Sequence, residues 1–440
     1  MRLVSRTVFA LVALVLVSIA SSQPAPCPGP DEQVYTKRLN AIRYADQFPG
    51  GTAGLKIANA LNDLPSTGGV VDARSLAGVQ TIDVNLYVGQ PGAKPTVLLL
   101  GPTVFNVSKT ITLFTNSSIV GLPTANTVGE FTPTKATQLV AAGGSNLEAV
   151  VRIGNASQSA LPSGAPQGPG AYAVLQDLVI DGNGVHFQPA LPPGRNPDGT
   201  PVVGTDNLGT RLGGAGVLVD SSYRVSMFRV TVQGSNGDGI RVLSTGSGNA
   251  GVAKFSQLMI LHNRDNGLRV QATNDVSVEQ SDFEGNGNYG VLLDNAAAFR
   301  ITNSDLSNNL IGLYASGSSG ENSIIGNQLR DNWSNDIALD PLSTSNIIAD
   351  NVFSSGSRRD AYGDAIHVNG GGGNVISGNR IRTFDASHRP FAGIHIFEAG
   401  FTGTANVVTG NLIQGPVFNS AIAVTRSGLA PNQAGNVVIP

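Results

Sequence analysis

From residue 214 onward the chain repeats one short phrase: a small residue, then apolar–any–apolar. The phrase opens at Gly216, Gly239, Gly267, Gly290, Gly312, Asp336, Ala365, Gly393 and Ala421. The steps between openings are 23, 28, 23, 22, 24, 29, 28 and 28 residues. A second phrase runs in phase with it, as NSIIGN from Asn322, NIIADN from Asn346, NVISGN from Asn374 and NVVTGN from Asn406. A unit this short, holding two or three strands, cannot bury its own apolar side. Coiling the chain solves the problem, because each strand then pairs with its copy one turn later, ~4.8 Å away. The pattern therefore predicts an all-β parallel β-helix solenoid. The fixed Leu-x-x-Leu-x-Leu frame of a leucine-rich repeat is absent. Asn327, Asn351, Asn379 and Asn411 fall at one position of successive units and are expected to stack as an amide ladder. The opening glycines suit a turn of positive φ, which Asp336 tolerates better than Ala365 or Ala421 would.

The rest of the chain fits one long domain. Arg2 and Arg6 precede an apolar run from Val8 to Ile19 that ends in small residues. This is the form of a secretory signal over residues 1–20, and the run is too short for a stable membrane anchor. Residues 21–50 form an N-terminal segment, and 51–440 a single solenoid domain. Leu55, Ala58, Leu61 and Leu64 share a helical face, so a short capping helix is expected over 52–64, ended by Pro65. Strands are expected at Gly69–Asp72, Thr96–Leu100, Lys109–Leu113 and Ser118–Val120, and projecting loops over 156–171 and 188–214. A net charge of −3 gives no reason to expect nucleic acid as a partner. One Cys leaves the solenoid without an internal disulfide, and only three Met argue against copper handling. The product is expected outside the cell, or in the periplasm of a Gram-negative source, as a monomer.

With these residues in view, the chain resembles the pectin-lyase-like superfamily of right-handed parallel β-helices. LKIANALNDLPSTGGVVDARSLAG resembles the capping helix and first rung of its secreted polysaccharide-active members. VLLLGPTVFNVSKTITL and SSIVGL resemble the next rungs, and the NVISGN-type repeats resemble those of its carbohydrate-binding and sugar-modifying modules. The resemblance covers nearly all of 50–440 and implies a right-handed coil and a carbohydrate ligand. It supplies no active site. The paired Asp with Gly-His-Gly of polygalacturonases is missing, as is the Trp-x-Asp-His of pectate lyases. The Asp-Pro-His-Asp of alginate epimerases is broken, since Asp340-Pro341 is followed by Leu342.

Candidate residues come instead from strand alternation. The middle residue of each opening points outward, giving a column Leu218, Arg241, Arg269, Leu292, Tyr314, Ala338, His367, His395, Ala423. Two residues on, a second column reads Asp220, Leu243, Gln271, Asp294, Ser316, Asp340, Asn369, Phe397, Thr425. His367 and His395 should stack one rung apart, where two charged imidazoles would repel, so one is expected neutral and able to act as a base. Asp364 or Asp340 would orient it or serve as the acid. Asp294 and Asp340, two rungs apart, have the spacing of an inverting carboxylate pair. Arg241, Arg269 and Arg389 could fork onto uronate carboxylates. Tyr314, Phe397 and Trp333 offer faces to sugar rings, and Asn369 a polar contact. No metal ligands are assigned: His367, His395 and an Asp suggest zinc, but the spacing does not fix the third ligand. A lyase would use Ca²⁺ on Asp ligands. The residues thus support a secreted enzyme that cleaves (lyase or hydrolase) or epimerises an acidic polysaccharide, with a non-catalytic glycan-binding or cell-surface module as the alternative.

Overall fold

The computed structural model describes residues 41–89, 94–122, 136–155, 169–183, 214–244, 251–355, 363–383, 392–397, 404–415, 420–425 and 431–439. The expected signal segment, the bulk of both long loops and Arg389 lie outside these residues. By its contacts the chain divides into residues 1–42 and 43–440, and the second unit is the solenoid. No helix among the described residues is long and apolar enough to cross a membrane.

The N-terminal helix spans Ala53–Asp63. Thr52 caps it by accepting the Leu55 N–H at 3.2 Å, satisfying one of the free donors of the first turn. Its buried face is Ala53, Ile57, Ala60 and Leu61, rotated from the expected one, because Leu55 points to solvent. It packs against the first rung, strands Gly69–Ala73, Gln80–Ile82 and Leu86–Val88.

Each later turn of the coil carries three strand segments. One set of 12 strands, from Leu86–Val88 to Ser420–Thr425, stacks in chain order into a single parallel sheet. The other two sets are joined into one hydrogen-bonded sheet through the long strands Val174–Asp181 and Ser226–Gln233, which bend through both ladders. Alternation sets the core. Ile240, Val242, Leu268, Val270, Ile366, Val368, Ile394 and Ile396 point inward and are at most 1% exposed.

The asparagine ladder exists, and it has company. Asn327, Asn351, Asn379 and Asn411 each pass a side-chain N–H to the Oδ1 of the next member, at 2.9–3.1 Å, and the ladder ends at Asn436. Two parallel ladders run through Asn322, Asn346, Asn374 and Asn406 and through Asn263, Asn286, Asn309 and Asn332. The last of these ends on the carboxylate of Asp336.

The opening glycines have a different cause from the one expected. None of Gly216, Gly239, Gly267, Gly290, Gly312 or Gly393 has positive φ, nor does Asp336. They are required by close approach: a Cβ on Gly290 would lie 2.6 Å from the Gly312 carbonyl oxygen and 2.9 Å from Asn309 Nδ2. Positive φ falls one residue before the ladder asparagine, at Gly326, Asp350, Gly378, Gly410 and Gly435.

Candidate active site

The outward column is as the alternation predicts. Register pairs run Leu218–Arg241, Arg241–Arg269, Arg269–Leu292, Leu292–Tyr314, Tyr314–Ala338, Ala338–His367, His367–His395 and His395–Ala423. These side chains lie outside the core, yet they are not freely solvated: Leu218, Leu292 and Ala338 are 3–4% exposed and Arg269 is 8% exposed.

At the C-terminal end of this face three groups converge. His367 and His395, on adjacent strands Ile366–Asn369 and Ala392–Phe397, have ring centroids 5.1 Å apart, edge to face at 86°. Both aim Nδ1 at one atom, Oδ2 of Asp364, at 2.8 Å and 3.0 Å. Asp364 sits in the turn just before the first of these strands. Its other oxygen accepts the Ala392 N–H at 2.9 Å, and its own N–H donates to Asn335 Oδ1 at 2.6 Å. The carboxylate is thus buried but satisfied. Burial alone pushes its pKa up, but the hydrogen bonds from His367 and His395, and their charge, outweigh this and hold it below its ordinary value. An ionised carboxylate only accepts, so each Nδ1 must carry a hydrogen. A neutral imidazole then presents Nε2 as a base. Phe397 stands edge-on to His395, centroids 6.3 Å apart, and pairs in register with Asn369.

The other candidates are placed elsewhere. Asp340 turns to a different partner and accepts from Tyr314 Oη at 2.7 Å. Burial, first, and then that carboxylate push the Tyr314 hydroxyl pKa upward. Tyr314 also packs against Tyr289, centroids 4.9 Å apart, which makes an aromatic platform two rungs from His367. Asp294 pairs with Arg269 at 2.6 Å, so both carboxylates of the supposed inverting pair are committed to neighbours. Arg241 donates to Gln271 at 2.8 Å, and burial, opposed by Asp238, lowers its pKa. Arg152, missed in the sequence, is fully buried in the same column between Glu148 and Asp220. These arginines brace the face as they stand. Trp333 lies in a turn rather than in either column, with its Nε1 buried and unpartnered.

A second polar site was also missed. On another face, Asp282 and Asp305 stack in register beside a groove of about 470 Å³ that also presents Arg229, Gln257, Gln280 and Asn303. Burial, then the charges of Asp305 and Glu284, push the Asp282 pKa up to about 7. The signal was present as SDF and SDL, 23 residues apart.

Residues 243–413 match the family model described as a right-handed β-helix region. The chain is a right-handed parallel β-helix. No curated protein matches its sequence. Among solved structures it is similar to the A-module of the Azotobacter vinelandii mannuronan C-5 epimerase AlgE6, at 14% identity and a TM-score of 0.60, over 90% of this chain and 99% of that one. It is similar to the Dettilon tailspike protein at 14% identity and TM-score 0.57, over 88% of this chain and 69% of that one. It is also similar to DFA-IIIase from Arthrobacter chlorophenolicus A6 without its lid, at 14% identity and TM-score 0.52, over 88% of this chain and all of that one. At these identities the likeness is one of fold.

Proposed function

We propose that this β-helix is a secreted enzyme that acts on an acidic polysaccharide laid along the twelve-stranded face, with its chemistry at Asp364, His367 and His395. The observation that carries the reading is the shared carboxylate oxygen between two imidazoles. It fixes both rings and leaves Nε2, on each ring the nitrogen away from Asp364, to carry the proton transfer. One Nε2 removes the proton at C5 of a uronate residue. In elimination the C4–O bond then breaks, a C4=C5 double bond forms, and the second imidazole, as imidazolium, protonates the leaving oxygen. In epimerisation the second imidazole, as imidazolium, gives a proton to C5 from the opposite side. The Tyr289–Tyr314 platform and Phe397 give apolar faces for neighbouring sugars, and Asn369 a polar contact. Support from the comparisons is that two proteins of the same coil are named as a mannuronan C-5 epimerase and a DFA-IIIase.

The test is product analysis on a panel of polyuronides and neutral glycans. Mass spectrometry reads unsaturated fragments for a lyase and hydrated ones for a hydrolase; NMR reads inverted C5 for an epimerase. His367→Ala and His395→Ala are each expected to lower turnover ~10²–10⁴-fold. Wild-type rates in both variants would refute the site. Binding without any product would replace the enzyme with a glycan-binding module.

A further inference from the structure

We infer that Asp364, His367 and His395 also form a seat for one divalent transition-metal ion. The sequence left a metal site without a third ligand, and the fold supplies it. One donor atom from each of the three residues lies within 4.8 Å of the other two. Asp364 Oδ2 is 2.8 Å from His367 Nδ1 and 3.0 Å from His395 Nδ1. Donors this far apart, each ~2.1 Å from one ion, subtend about 90° at it, whereas a tetrahedral ion needs donors ~3.4 Å apart. Each imidazole nitrogen thus stands at about a right angle to the carboxylate oxygen, as neighbouring ligands of an octahedral ion do. That chemistry suits Mn²⁺, Fe²⁺, Co²⁺ or Ni²⁺. It does not suit Ca²⁺, which takes oxygen ligands, nor tetrahedral Zn²⁺.

The supporting shell is already in place. The Ala392 N–H holds the second carboxylate oxygen at 2.9 Å, and Asn335 holds the Asp364 backbone at 2.6 Å. Such outer bonds keep ligands oriented. The ion takes the place of the two Nδ1 protons. Each Nε2 then carries a hydrogen and becomes a donor, so the stripped protein is the form able to act as a base. The inference uses the same residues as the polysaccharide reading, but ion content is measured without substrate, so either can fail alone.

The full chain is stripped with chelator and titrated with MnCl₂ and NiCl₂ by calorimetry, with metal content read by mass spectrometry. One ion per chain is expected. Asp364→Ala, His367→Ala and His395→Ala should each weaken binding at least ~10–100-fold, with circular dichroism reporting the fold, and His262→Ala should leave it unchanged. The Co²⁺-loaded wild type, which depends on no variant, should show the weak visible absorption of an octahedral ion. No stoichiometric uptake, equal uptake in the three variants, or an intense tetrahedral cobalt spectrum would each overturn the inference.

Discussion

Asn351→Ala tests the asparagine ladder at its centre. Oδ1 of Asn351 accepts the Asn327 backbone N–H at 2.9 Å and the Asn327 side-chain N–H at 3.1 Å. Its Nδ2 donates to the Ile324 carbonyl at 2.9 Å and to Asn379 Oδ1 at 3.0 Å. All three asparagines are at most 1% exposed, so water does not readily replace what is lost. The alanine strips a partner from two buried donors. At about 1–3 kcal/mol for each, the expected cost is ~4 kcal/mol. Asn436→Ala is the internal control. Asn436 is only half-buried and ends the ladder, so its loss should cost ~1 kcal/mol. Urea unfolding midpoints at constant m-value compare the two, and hydrogen exchange should show the Asn327 amide losing protection in Asn351→Ala alone. Equal destabilisation by the two substitutions would refute the view that burial makes the ladder cooperative.

Other expectations follow from the same structure. Asp282 has its pKa raised to about 7 in the fold against an ordinary 3.8. Between those values the native state binds more protons than the unfolded one, so stability falls as pH rises from about 4 to 7, by up to ~4 kcal/mol. Asp282→Asn should remove that slope in thermal melts between pH 5 and 8 and stabilise the protein above pH 7; an unchanged slope would count against it. Gly290→Ala forces a Cβ to 2.6 Å from a backbone oxygen, whereas a Cβ on Gly410 meets nothing closer than 3.9 Å. The first should cost about 2 kcal/mol or more, and the second only the ~1 kcal/mol of a left-handed φ, read by urea titration. Asp364→Asn leaves a carboxamide where two Nδ1–H groups converge. It should lower polyuronide turnover through kcat more than through KM, and an equal rise in KM alone would point to a binding role.

Much of the fold was legible because its determinants are periodic. A step of 22–29 residues places equivalent positions one above another, and alternation with period two then decides which side chains enter the core. That is why His367 over His395, Tyr314 beside Ala338 and the Asn327 ladder could be read directly. The turns obey neither rule. A turn side chain takes its direction from the rungs packed on either side, so Asp364 and Asp340 stood equal as partners for the histidines until the fold sent one to His367 and His395 and the other to Tyr314. The charges are similar. Arg269 reads as a ligand clamp in one dimension, but Asp294 lies across the sheet, 25 residues away, and claims it. Glycine was read correctly as necessary and for the wrong reason, since neighbouring carbonyl distance is a property of two rungs and φ of one residue. The sequence by itself therefore determined the coil, its core and the column that carries the histidines, because these depend only on spacing along the chain. The tertiary structure alone decided which carboxylate joins them and which arginines are already spent, because those contacts form between turns and rungs whose relative placement no local period encodes.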